Sequence, residues 1–259
     1  MTLLSIVLGL LGLAWGVVAD RIAARWPEHL PGGPDGAEAG ATPEPGAADT
    51  ADAADTADPA EPAPAPAPAP ARATPLPTGP LPMRRPDWRT ILVAVVGGVS
   101  LALVPIRFDG LTHQVLFGAW VVVLTLLLAT DLDQRLLPDV LTLPLIPVAL
   151  VVGISGLNPF VLNGMLWPVI TALIFPAAFL VLSLPFGPGA IGVGDLKLLV
   201  SVGLTLGLVR TLEGVVLAIL LSGVVVVVLL ATRVISRRSY IPYGPFLIIG
   251  MLWAALISL

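Results

Sequence analysis

From residue 90 to the end of the chain, apolar runs follow one another with only short polar breaks, and several approach or exceed the about 18 residues that cross a bilayer. No other feature restricts the fold as much. Backbone in hydrocarbon has no water to bond, so it must satisfy its own N–H and C=O groups, as helices and closed barrels do. Barrel strands alternate in runs of about 10 residues, and the chain has no such pattern. The expected fold class is all-α, a polytopic integral membrane helical bundle. Composition agrees, with 56% hydrophobic and 12% charged residues, where soluble domains carry about 25% charged.

About eight transmembrane helices are expected, near residues 2–19, 90–106, 114–130, 140–156, 160–184, 198–208, 215–231 and 245–259. Seven is the alternative, with the fifth and sixth merged or the first removed. Residues 209–214 then form a loop between the sixth and seventh. The first run has the look of a signal peptide, but no Lys or Arg precedes it while Arg21 and Arg25 follow it. A retained helix with its N-terminus outside fits that charge order. The same orientation places Arg21, Arg25, Arg84, Arg85, Arg89, Arg135, Lys197, Arg233, Arg237 and Arg238 on the cytoplasmic side, and only Arg107 and Arg210 outside.

Three segments result: a first helix over 1–26, a polar stretch over 27–89, and a membrane core over 90–259. Within the middle stretch, residues 31 to about 83 are rich in Ala, Pro, Gly, Asp and Thr, and hold eight of the seventeen acids (Asp35, Glu38, Glu44, Asp49, Asp52, Asp55, Asp58 and Glu61). Such a composition buries too little apolar surface to offset its ordering entropy, so a disordered acidic linker is expected. The chain has no cysteine and only two histidines, His29 and His113. A structural zinc site needs about four N/S ligands, so no metal or other cofactor is expected. The net charge is −4 with no basic patch, so no nucleic-acid partner is expected.

The chemistry concentrates in the stretch 187–199, Gly-Pro-Gly-Ala-Ile-Gly-Val-Gly-Asp-Leu-Lys-Leu-Leu. A carboxylate at the edge of an apolar span is costly and therefore a functional candidate. Gly192 and Gly194 keep bulk away from Asp195, so another backbone can approach it. From residue 90 onward there are six acids, and the topology puts four of them (Asp131, Asp133, Asp139 and Asp195) in two loops on one membrane face. Two carboxylates brought together share a proton and titrate as a unit. That is the requirement of an aspartic protease. The ionised acid takes a proton from the attacking water, and the protonated one polarises the carbonyl and later protonates the leaving amine. Residues alone do not choose Asp131 over Asp133. Asp139, after Pro138 and before an apolar run, reads as a helix N-cap. Lys197 reads as an interfacial anchor, with tuning of Asp195 as the alternative.

Asp131, then Leu137-Pro-Asp139-Val-Leu-Thr-Leu-Pro144, then Gly192-Val-Gly-Asp195, then Ile241-Pro242-Tyr243-Gly244-Pro-Phe246, taken together and in order, resemble the type IV prepilin peptidase family, membrane aspartyl proteases with a Gly-x-Gly-Asp motif. The resemblance implies that Asp131 and Asp195 are the catalytic pair. It also implies that Gly192, Gly194, Lys197, Asp139, Pro242 and Gly244 shape the site or bind substrate. It implies an endopeptidase of the bacterial inner membrane, in the lipid bilayer, that cuts the leader from prepilins or pseudopilins at the cytoplasmic face. Many family members carry a zinc-binding domain with paired Cys-x-x-Cys motifs after the first helix, and also methylate the new N-terminus. Here the acidic Ala/Pro stretch stands in that place, so a peptidase without the methyl transfer is expected. The rival readings are a proton-coupled transporter and a non-catalytic assembly factor. Transporter sites lie near the bilayer midplane, whereas these acids gather at one face.

Overall fold

The computed structural model describes residues 3–26, 87–161, 164–186, 191–233 and 243–258. Nearly all of the acidic stretch lies outside them, as do Pro242, Arg84, Arg85, Arg237 and Arg238. All regular structure among the described residues is helical. The helices are α1 (Leu3–Ala23), α2 (Trp88–Arg107), α3 (Leu111–Gln134), α4 (Asp139–Ile154), α5 (Leu166–Ser183), α6 (Val193–Ala231) and α7 (Gly244–Leu256), with a short 3-10 turn at Leu184–Phe186. Five of them, α1, α2, α3, α5 and α6, are long and apolar enough to cross a membrane. The molecule is a multi-pass membrane protein.

Two expectations change. The sixth and seventh spans follow each other directly, without the expected loop: α6 is helical on both sides of a sharp break at Gly207, and residues 209–214 are helical. The φ of 69° and ψ of −174° at Gly207 lie where almost only glycine is found. Arg210 and Glu213, just after the break, are held by Ala254 and Ser258 at the end of α7. The fifth span begins six residues later than expected, at Leu166. Before it, Asn158 turns the chain: its side chain accepts from the Phe160 N–H (3.0 Å) and donates to the Thr205 carbonyl (2.8 Å).

Two kinds of packing build the bundle. At the centre, Leu124, Leu127 and Leu128 of α3 meet Leu198, Leu199 and Val202 of α6 and Leu247, Ile248 and Met251 of α7, all fully buried. Along the α1–α2 seam, small residues replace large ones. A Cβ on Gly12 would lie 2.8 Å from Gly98 Cα, and one on Gly16 would lie 2.7 Å from the Ala94 nitrogen. Lipid tails are as apolar as leucine, so helices in a bilayer associate through close van der Waals contact, and small residues permit it.

Polar links fix the end of the bundle where α1 and α3 finish and α2, α4, α6 and α7 begin. Asp87 and Thr90 form a capping box at the start of α2. The Thr90 hydroxyl also lies 2.7 Å from Asp20 Oδ2 of α1. Gln134 donates to the carbonyls of Ala23 (2.9 Å) and Trp26 (2.8 Å). Arg89 pairs with Asp133 at 3.1 Å. The C-terminus of α1 is thereby tied to α2 and α3 at the level of the acids.

Candidate active site

α3 ends in a left-handed residue, Arg135 (φ 56°), whose N–H bonds the Asp131 carbonyl at 2.9 Å. This C-cap places Asp131 in the last helical turn, with its side chain turned inward and only 4% exposed. α6 begins after Gly192, whose carbonyl accepts the Asp195 N–H at 3.1 Å. Asp195 therefore stands in the first turn of α6 and is 8% exposed.

The first residue of α7 joins them. A Cβ on Gly244 would collide with Asp131 Oδ2 and lie 3.1 Å from Asp195 Oδ1. The glycine backbone thus sits against both carboxylates, and only a residue without a side chain fits there. Asp131 Oδ2 is buried with no hydrogen-bond partner among the described residues. Three helix ends hold two acids side by side, and one acid oxygen is left uncommitted.

The other sequence-predicted residues divide. Gly192 lies beside the pair: a Cβ there would be 3.5 Å from Asp195 Oδ2, an ordinary contact. Gly194 admits Leu137, whose Cβ would be 2.8 Å from an added methyl, and so seats the segment before α4 against α6. Lys197 pairs with Asp139 at 2.7 Å, away from the two buried acids. Asp139 is not the N-cap of α4. Pro138 occupies that position, and Asp139 is the first helical residue, where its carboxylate meets Lys197 instead of a backbone N–H. Asp133 is engaged by Arg89, so of the two acids on this turn Asp131 is the one that faces Asp195. Pro242 lies outside the described residues. No three His, Cys, Asp or Glu side chains converge in a metal-binding group among the described residues.

Two further groups lie at this end. Asp20 is 2% exposed within α1, and its partner Thr90 is 70 residues away in the chain. A carboxylate in the last turns of an apolar span was a visible signal, but its partner was not. Tyr243, just before Gly244, rests its ring on Phe179 of α5 with centroids 5.7 Å apart.

Residues 115–231 match the family described as the type IV leader peptidase family. Among curated proteins, the chain is similar to a prepilin leader peptidase/N-methyltransferase of Pseudomonas aeruginosa, with 32% identity over 49% of this chain and 43% of that protein. Proteins of the same description from Aeromonas salmonicida (31% identity, 65% of this chain, 55% of that one) and Pectobacterium carotovorum (34%, 54% and 51%) are also similar. The chain spans about half the length of the curated relatives it matches. No solved structure matches it.

Proposed function

From the match of residues 115–231 to the type IV leader peptidase family, we propose that this protein is a membrane aspartyl endopeptidase that removes the leader of type IV prepilins or pilin-like precursors. The observation that carries the reading is the seating of Gly244 against both Asp131 and Asp195. A backbone pressed onto two buried carboxylates keeps them side by side.

The steps follow from that arrangement. One proton is shared by the pair, because two adjacent carboxylates do not both ionise. Asp195 stands at a helix N-terminus, where unpaired N–H groups favour an anion; Asp131 stands at a C-terminus, where carbonyls favour the protonated acid. Asp195 is therefore the base and Asp131 the acid. Water attacks the scissile carbonyl carbon and gives a proton to Asp195, while the Asp131 proton bonds the carbonyl oxygen. The tetrahedral intermediate collapses as its C–N bond breaks, and the leaving nitrogen takes the proton from Asp195. The oxygen re-forms its double bond and gives its proton back to Asp131, so Asp131 is again protonated and Asp195 ionised.

An apolar cavity of about 310 Å³ lies between α3 and α4, lined by Leu116, Trp120, Val123, Leu141 and Leu145 among others. Its chemistry suits the hydrophobic helix that follows a prepilin leader. We place the cut at the cytoplasmic face of the bacterial inner membrane, where most of the basic helix-end residues fall by the charge rule. The test is co-expression with a prepilin from the same source and mass spectrometry of its N-terminus. Leader loss with wild type, and an intact leader with Asp131→Asn or Asp195→Asn, supports the peptidase. An intact leader with wild type overturns it. The same spectrum reads the methyl group on the new N-terminus.

A further inference from the structure

Tyr243 has a feature that ring packing does not require. Its hydroxyl is buried, yet it has no hydrogen-bond partner among the described residues. A phenylalanine would rest on Phe179 equally well and would avoid the cost of a buried, unpaired donor. The following residue, Gly244, touches both acids. Burial, and after it the Asp195 charge, push the phenol up to about 12. The phenol therefore keeps its proton across the working range of an enzyme, and that proton is free to be donated. Donor and carboxylates lie together, but no hydrogen bond closes between them. A substrate group that reaches the acids can take up this free donor.

That group must accept a hydrogen bond. The attacking water is held by the carboxylate it protonates. The scissile carbonyl oxygen is the acceptor whose charge grows during attack, and Asp131 supplies it with only one hydrogen bond. We propose that Tyr243 is a further catalytic residue, whose hydroxyl donates a second hydrogen bond to the scissile carbonyl oxygen as it becomes tetrahedral. The phenol keeps its proton throughout, so the proton balance of the aspartate pair is unchanged. This inference rests on the peptidase reading.

The experiment compares full-length wild type and Tyr243→Phe in detergent on a purified prepilin, with Asp195→Asn as the inactive control. A single donor aimed at such an oxygen supplies roughly 10²–10³ in kcat. Tyr243→Phe is expected to lose about that much in kcat, with KM within about two-fold of wild type, because the bond strengthens only in the transition state. The same variant is expected to melt at or above the wild-type temperature, since it removes a buried unpaired hydroxyl. Slower chemistry in a protein of equal or greater stability is a signature that a structural tyrosine does not give. A kcat equal to wild type overturns the proposal. So does a loss confined to KM, which would mean that the phenol grips the bound substrate rather than the carbonyl under attack. A lowered melting temperature that accounts for the lost rate also overturns it. If wild type itself leaves the precursor intact, the peptidase reading falls first and this inference falls with it.

Discussion

The two ends of the bundle both bury charge and use it in opposite ways. At the end where α6 bends, Arg210 is fully engaged. Its Nη1 donates to the carbonyls of Ala254 (2.8 Å) and Ser258 (3.0 Å) and to Ser258 Oγ (3.1 Å). Its guanidinium lies 4.5 Å from the centre of the Phe160 ring, and Ser258 in turn donates to Glu213. The cation closes the C-terminus of α7, where unpaired carbonyls favour it. At the other end, Asp131 Oδ2 and Tyr243 Oη have no hydrogen-bond partner among the described residues. A buried polar group that is satisfied holds a fold together; one left open costs stability and is retained for what it does. Arg107 Nε and Thr211 Oγ1 near the bend are unpaired as well, so the contrast lies between Arg210, which ties helices together, and the two acids, which we propose do the chemistry.

Substitutions can break that division or sharpen it. The largest effect is expected at the acids: Asp131→Asn or Asp195→Asn should cut kcat by roughly four orders of magnitude or more, with no fall in melting temperature. Next is Gly244→Ala. Its methyl would drive into Asp131 Oδ2, and a misplacement of about 1 Å costs roughly 10²-fold, so kcat should fall by about that factor in protein that still inserts and folds. At the other end, Arg210→Met should do the reverse. Hydrogen bonds to a charged group contribute about 1.5–3 kcal/mol, so the melting temperature should drop while kcat per folded molecule holds. A loss of kcat at unchanged melting temperature would sink the comparison. The smallest effect is expected from Lys197→Met. Its pair with Asp139 is partly exposed, at 28% and 50%, and such pairs contribute less than about 1 kcal/mol. A kcat change within about three-fold fits that structural pairing. A larger loss would show that Lys197 acts on Asp195.

The sequence carried the hydrophobic architecture because bilayer spans are written in runs of one kind of residue. Asp195 and its glycines were legible because they are contiguous. What was not legible depends on partners distant in the chain. The bend at Gly207 looked like a loop because Arg210 and Glu213 are charged, and nothing local shows that Ser258 and the α7 carbonyls receive them. Asp139 looked like a cap because its neighbours are right for one, and Lys197, 58 residues on, claims it. Asp131 and Asp133 were indistinguishable until Arg89 was seen to hold the second. The clash that favours glycine at 244 is with the Asp131 side chain, more than a hundred residues away.

The glycine seam between α1 and α2 has a consequence for what the protein can carry. Both borders of the segment between them are fastened without help from that segment, at Trp26 by Gln134 and at Arg89 by Asp133. A frame fastened in this way does not depend on the length of the connection between the two helices. Doubling the length of a flexible loop costs only about 0.6 kcal/mol, so insertions of different size between α1 and α2 are expected to leave the helix packing in place.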